Sequence, residues 1–454
     1  MNLRQVLSII GIIFLLLPIG LLYSEDENSE VNSIDIPPLP NKVTSPSVPI
    51  DEEAPLHLEI YGGIRELYKI AVPLPLGDKE IGEKAQSIMI KDLELVGMFN
   101  VLDPRSYLAD PIQEGLGIEL DKWTAIGAQA VIKARIKLIG VSELRAEFRL
   151  YEIARGESAV LIKHYRDRRA NLRTVIYKFL NEVIRYFTGE PGVFGTRIAF
   201  ARRIAPGRKE IFTVNWDGSD LKQITNNHSI NVLPAWLPGG GLLYTSYKSG
   251  NANLYRTGRK EPILSYEGLN MGARVSPDGS KMAVVLTKDG NAEIYLVTLN
   301  GKIIKRLTHN PAIDVSPTWS PDGRQIAFVS NRDGTPQIYV MNADGSNVRR
   351  LTYVGSYNQT PAWCPRKDNP VIAFAGRDAG VYDIFTVNVK TGEIIRLTQY
   401  QGSNMDPTWS PDGRLIAFWS SRGGIFIMNP DGTNQRKVLP GHAETLRWAP
   451  RWVK

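Results

Sequence analysis

Two sets of polar residues return in step along the second half of the chain, and their types suit recognition rather than reaction. The first is an amide or carboxylate set, Asn231, Asn270, Asp314, Asn358 and Asn404, broken at Ala443. The second is cationic: Arg203, Lys248, Lys288, Arg332, Arg377 and Arg422. Amides and a carboxylate exchange hydrogen bonds with a partner's backbone, and a rim of cations steers an acidic or carbonyl-rich loop towards them. The alternative for the Asn/Asp set is capping of the preceding loop, which short polar side chains do well.

Residues for catalysis are absent from the pattern. A serine hydrolase needs a nucleophile elbow, G-x-S-x-G, and a histidine base; a zinc protease needs two histidines one helical turn apart. Neither motif occurs, and His57, His164, His228, His309 and His442 fall in separate stretches. No catalytic, metal or cofactor site is predicted, so binding is the first reading and a propeller-associated exported peptidase the runner-up. The turns Asn215 to Ser219, Asn342 to Ser346 and Asn429 to Thr433 lack the spaced acids and final Glu of a calcium loop. They read as Asx turns. Cys364 is the single cysteine, so no disulfide can form within the chain, and its place beside Trp363 marks it as buried. The net charge of +7 comes from basic residues recurring singly, not as a stripe interleaved with aromatics, which argues against nucleic acid.

The elements that position these residues are repeats. Pro317-Thr318-Trp319-Ser320-Pro321-Asp322-Gly323-Arg324-Gln325-Ile326-Ala327-Phe328 returns almost verbatim from Pro407 to Phe418. Weaker copies place the anchor at Trp236, Val275, Trp363 and Trp448, a period of 39 to 46 residues. Such a period belongs to propellers and arrays. In each repeat a Pro-x-Trp strand enters a Ser-Pro-Asp-Gly turn, then come an Ile-Ala-Phe strand, a third apolar strand and a fourth ending in Arg-Leu-Thr. The amide set stands five residues before each anchor, at the start of the innermost strand. The Trp ladder reads as packing between blades. The array opens on a second strand at Ile198 and closes on a first strand at Trp448, so the two ends are expected to share one blade and leave no open edge.

Strand direction then sorts the loops. Both chain ends of the array lie on the Ser-Pro-Asp-Gly face, so the preceding domain is expected there. The opposite face, with the Asn/Asp ring at its centre and the basic ring around it, is left for a partner.

Before the repeats, residues 1–24 read as a basic, then apolar, secretory signal, with a single-pass anchor as the rival. Residues 25–55 are acidic and proline-rich, an extended linker. Residues 56–190 alternate strand and helix patterns: Tyr68 to Pro73 and Ala130 to Leu138 as strands, Ile81 to Phe99 and Leu172 to Phe187 as helices, and a hairpin around Arg155-Gly156. The expected architecture is an α/β N-terminal domain followed by an all-β six-bladed β-propeller over 196–454.

An exported chain with a small domain carrying I-A-V-P and V-G-M-F-N-V-L-D, followed by W-S-P-D-G-R-x-I-A-F blades, resembles the TolB family. These are periplasmic propeller proteins of the Tol–Pal envelope system. The resemblance implies a periplasmic, monomeric, non-enzymatic adaptor, peripheral to the envelope rather than embedded in a membrane, that supports outer-membrane integrity and constriction at division. It further implies a Pal-like lipoprotein on the propeller and a TolA-like inner-membrane protein on the N-terminal segment. The matching segment is Leu56, His57, Leu58, Glu59 and Ile60, preceded here by the acidic linker.

Overall fold

The computed structural model describes residues 67–378 and 380–451. The leader, the acidic linker and the Leu56 to Ile60 segment lie outside the described residues. Among the described residues no helix is long and apolar enough to cross a membrane.

The first part is a six-stranded mixed sheet. Strands β1 (Tyr68–Ala71), β2 (Leu76–Gly77), β3 (Phe99–Val101), β4 (Ala130–Ile139), β5 (Glu143–Glu152) and β6 (Leu161–Arg168) run in the order β3-β1-β4-β5-β6, with β2 paired to β4. Helices α1 (Lys79–Leu95) and α4 (Leu172–Thr188) cover one face. Helix α1 begins where Asp78 Oδ1 accepts the Ile81 N–H at 3.0 Å, and buries Ile81, Ala85, Ile88, Met89 and Leu93. Helix α4 buries Val175, Ile176, Phe179, Leu180, Val183 and Ile184, and stops at Gly189, whose φ of 76° suits a residue without Cβ. The short helices α2 (Pro111–Glu114) and α3 (Leu120–Ala125) close the other face, where Trp123 packs with Ala71, Val131 and Tyr151.

The second part is a six-bladed propeller. Blade 1 has three strands, Asn231–Trp236, Leu242–Ser246 and Asn253–Arg256, and one further bridge between Leu254 and Leu264. Blades 2 to 5 are four-stranded, with first strands Asn270–Val275, Asp314–Trp319, Tyr357–Trp363 and Asn404–Trp409. Blade 6 runs Glu444–Trp448, Arg197–Ala205, Arg208–Asn215, Lys222–Gln223, joining the two ends of the array. Trp448 faces Ile198 and Arg447 faces Ala199, the closure that the repeat arithmetic required.

The turns explain the motif. Ser320 Oγ donates to Asp322 Oδ1 at 2.6 Å, while Asp322 Oδ1 and Ser320 Oγ accept the N–H groups of Arg324 and Gln325. Gly323 turns the corner at a φ of 70°. Trp indoles stitch blades together: Trp236 donates to the Arg447 carbonyl, Trp319 to that of Arg274 and Trp409 to that of Ala362, at 2.9–3.0 Å. Two expectations need correction. A fourth strand is expected in every repeat, but blade 1 has three strands and only the Leu254–Leu264 bridge beyond them. The Arg-Leu-Thr triplets do not end the fourth strands, which stop at Arg306, Arg350 and Arg396. The threonine leaves the ladder because its hydroxyl, not its backbone, accepts the N–H of Ile294, Ile338 and Ile384.

Every first strand also carries a bulge two residues after the Asn/Asp position. Leu233, Ser316, Thr360, Asp406 and Thr445 have φ of 51–55° there, and Gly272 has 68°. A left-handed non-glycine residue costs on the order of 1 kcal/mol, so five of the six first strands bear this strain and Gly272 spares blade 2.

The α/β part sits on the Ser-Pro-Asp-Gly face, as strand direction requires. Lys91 Nζ donates to the Asp217 carbonyl at 3.2 Å, and Arg173 pairs with Asp217 at 2.6 Å, in the turn after the third strand of blade 6. Arg451 reaches Glu190 at 2.7 Å and the Pro411 carbonyl at 3.3 Å.

Deleting Leu446 to Lys454 strips the first strand from blade 6 and exposes the core around Leu446 and Trp448. Loss of two such side chains costs several kcal/mol, so the melting temperature is expected to fall by about 10 °C or more across the whole propeller. Calorimetry of full-length and truncated protein checks this; equal melting would show that the ring is not closed by this strand.

Candidate partner-binding face

The face opposite the α/β part begins with the Asn/Asp set, and all five members are buried, with at most 1 % of their surface exposed. Their side chains cross the seams between blades. Asn231 Nδ2 donates to Glu210 Oε2 at 3.0 Å, Asn270 to Asn253 Oδ1 at 3.2 Å, Asn358 to Gln337 Oε1 at 2.8 Å and Asn404 to Asp383 Oδ1 at 3.3 Å. Each also holds its preceding loop, through the carbonyls of Ser229, Gly268, Val354 and Gly402. At the seam between blades 2 and 3 both positions are carboxylates, Asp314 and Glu293. Asn310 stands between them, donating Nδ2 to Asp314 at 2.6 Å and its N–H to Glu293 at 3.1 Å. The capping reading therefore describes these side chains, and their burial leaves the loops they hold, not the amides themselves, to meet a partner.

The partners of this set escaped the sequence reading. Glu210, Asn253, Glu293, Gln337 and Asp383 each stand one residue before the apolar core of a third strand. A polar residue at that fixed offset was the available signal. The break at Ala443 then makes sense, because the matching third-strand position of blade 5 is Gly424. Where one half of the pair is missing, so is the other.

The cations are tethered by aromatic rings. Lys248 Nζ lies 4.0 Å from the centre of the Tyr255 ring, Lys288 5.8 Å from Tyr295, Arg332 5.0 Å from Tyr339 and Arg422 4.2 Å from Phe426. In blade 6 this place is taken by Arg202, over Phe200 and Phe212, while Arg203 is exposed. Arg332 also pairs with Asp314 at 3.0 Å. Burial nonetheless holds the Asp314 carboxyl above the usual carboxylate range, with Arg332 and Asn310 opposing. Arg377 is half-buried opposite Tyr357 in the blade 4 ladder. Arg203, Lys248 and Arg422 are exposed on the rim.

The same face carries large apolar groups in the open. Tyr353 is 71 % exposed and Val354 56 %, in the link from blade 3 to blade 4, and Tyr400 is 92 % exposed in the next link. His228 and His309 are exposed in other links, and His442 packs on Trp419 with its ring centre 5.4 Å away. Burial pushes the His442 imidazole down to about 4. Burial also pushes the Cys364 thiol up to about 12, which keeps it a neutral core group.

Fold and face define a class: a closed six-bladed propeller with an α/β domain seated on one face and the other face open. A profile described as TolB amino-terminal domain matches residues 56–159, and one described as TolB beta propeller domain matches 184–379. The chain belongs to the TolB family. It is 43% identical over 260 residues to the Tol-Pal system protein TolB of Anaeromyxobacter dehalogenans (strain 2CP-C), covering 55% of this chain and 59% of that one. Identity to the protein of the same name from Desulfosudis oleivorans is 37% over 259 residues, covering 54% and 58%. The matched region thus spans less than two thirds of these relatives. The crystal structure of TolB from Acinetobacter baumannii superposes with a TM-score of 0.75 at 26% identity, covering 85% of this chain and 97% of that one.

The seam pairs make a quantitative expectation. Asn358→Ala leaves buried Gln337 short of a donor and should cost about 1–3 kcal/mol. Gln337→Leu alone should cost a similar amount, and the double variant less than the sum, with a coupling of about 1 kcal/mol. Chemical denaturation of the four proteins measures it; strict additivity would show that the two side chains do not depend on each other.

Proposed function

We propose that the protein is a non-enzymatic periplasmic adaptor of the Tol–Pal type, which docks a Pal-like lipoprotein on the propeller face away from the α/β domain. The observation that carries this reading is the group Tyr353, Val354 and Tyr400, exposed beside a rim of ring-tethered cations on the face that the α/β domain leaves open. Exposed aromatics flanked by polar groups are what binding surfaces concentrate, and tethered cations steer an acidic partner without much loss of side-chain freedom. The names of the relatives, Tol-Pal system protein TolB, support the same system. A TolA-like inner-membrane protein would engage Leu56, His57, Leu58, Glu59 and Ile60, which lie outside the described residues. Through these two contacts the chain would support outer-membrane integrity and envelope constriction at division.

The turns built on Asp322 and Asp412 face the α/β side and should not contribute. Arg332, Asp314 and Asn358 are poor probes, because changing them strips buried partners and unsettles the loops.

Titration of the full chain with the soluble domain of a Pal-like lipoprotein tests the proposal. Tyr353→Ala and Tyr400→Ala should each weaken binding about tenfold or more, mainly through faster dissociation. Lys248→Glu and Arg377→Glu should chiefly slow association, and the effect should fade at high salt. Asp322→Ala should bind like wild type. Losses at Asp322 and none at Tyr353 or Tyr400 would place the partner on the other face.

A further inference from the structure

The contact between the α/β part and the propeller contains a buried carboxyl group that no described residue hydrogen-bonds. Asp92, on the buried side of α1, is fully buried, and neither of its carboxylate oxygens has a hydrogen-bond partner among the described residues. The charged groups nearby are engaged with one another. Asp217, from the turn after the third strand of blade 6, takes Arg173 Nη1 at 2.6 Å and the Tyr177 hydroxyl at 3.2 Å, both from α4. Lys91 Nζ, beside Asp92 on α1, goes to the Asp217 carbonyl at 3.2 Å. Two carboxylates from the two parts therefore face a single guanidinium, and only Asp217 is bonded to it.

Packing around this point is close. Trp216 is fully buried against Phe194, with ring centres 5.3 Å apart. At the end of α1, a Cβ on Gly97 would lie 2.4 Å from Asn434 Nδ2 and 2.8 Å from Asn429 Oδ1 of blade 5. The end of α1 is thus wedged against turns of two blades. Beside it opens a cleft of about 350 Å³ whose lining includes Lys91, Glu94, Phe99 and Arg436.

We propose that the seat of α1 on the propeller is a proton-operated latch, closed when Asp92 carries a proton and loosened when it does not. A neutral carboxyl at a buried site costs far less than a carboxylate without a partner. The direction agrees: burial first, then the charge of Asp217, push Asp92 up to about 7, against the pull of Arg173 and Lys91. With the latch open and Asp92 in water, the carboxyl returns to its ordinary value of 3.8. A raised acid favours the closed form fully below that ordinary value. The preference is lost as pH rises from about 4 towards about 7, and is flat above. A protein facing an envelope of changing acidity would thereby alter how firmly its two parts are joined, and with them the cleft between.

Amide hydrogen exchange of the full chain at pH 5 and pH 8, corrected for intrinsic rates, tests this. Peptides over 88–97 and 214–219 should lose protection about tenfold or more at pH 8, relative to Ile326–Ser330 in blade 3. Asp92→Asn should stay protected at both pH values, and Asp92→Leu serves if the amide variant fails to fold. Asp217→Asn should loosen the seat at both. A wild type with equal protection at the two pH values, or an Asp92→Asn variant that keeps the loss, would overturn the latch.

Discussion

A buried hydrogen bond between neighbouring blades sets the terms for the rest of this structure. It runs from the Asn at the start of one first strand to the acid or amide at the start of the preceding third strand. Removing one member of such a pair costs more than the pair contributes, because the survivor stays buried and unsatisfied. That asymmetry makes the two positions interdependent: both are present at four seams, bridged by Asn310 at a fifth, and both missing where Gly424 meets Ala443. At that last seam other groups act. Asp406 accepts the Thr445 N–H at 2.6 Å across it, and within blade 6 Lys209 pairs with Glu444 at 2.6 Å. Burial pushes the Asp406 carboxyl up to about 7, so the closing contact is itself built on an acid far from its ordinary state.

The proposed function rests on what these bonds hold. The same Asn side chains that cross the seams fix the inter-blade links, so Tyr353, Val354 and Tyr400 stand on loops with a rigid base. The cations lie on aromatic rings of their own blades and keep their charge at the rim. On the other face the Asx turn around Asp217 serves a different purpose, taking Arg173 and Tyr177 from the α/β part. One kind of repeat therefore presents two unlike faces, one spent on intramolecular packing and one left open.

Much of this could be read from the chain. Period, turn chemistry and strand direction led to six blades, a shared closing blade and the seat of the α/β part, because each depends on local rules that repeat. The seam pairs were harder. Asn358 and Gln337 are 21 residues apart, and nothing near either one says that its side chain turns into a seam. The Arg-Leu-Thr triplets looked like strand because Thr favours strands, whereas the hydroxyl takes the ladder position here. Asp92 was hidden differently: helical spacing from Ile88 and Met89 puts it on the apolar face of α1, but nothing in the sequence says that it meets Asp217 there. Tyr353 and Tyr400 carry no periodicity at all, so only the fold shows that they share a face.

The most direct test of the account is hydroxyl-radical footprinting of the full chain with and without the soluble domain of a Pal-like lipoprotein. Tyr353 and Tyr400, at 71 % and 92 % exposure, are built-in reporters for the open face. The account predicts that the partner suppresses oxidation at both and leaves the Pro321 and Pro411 turns unchanged. Suppression at those turns, with Tyr353 and Tyr400 oxidised as freely as in the unbound chain, would contradict it.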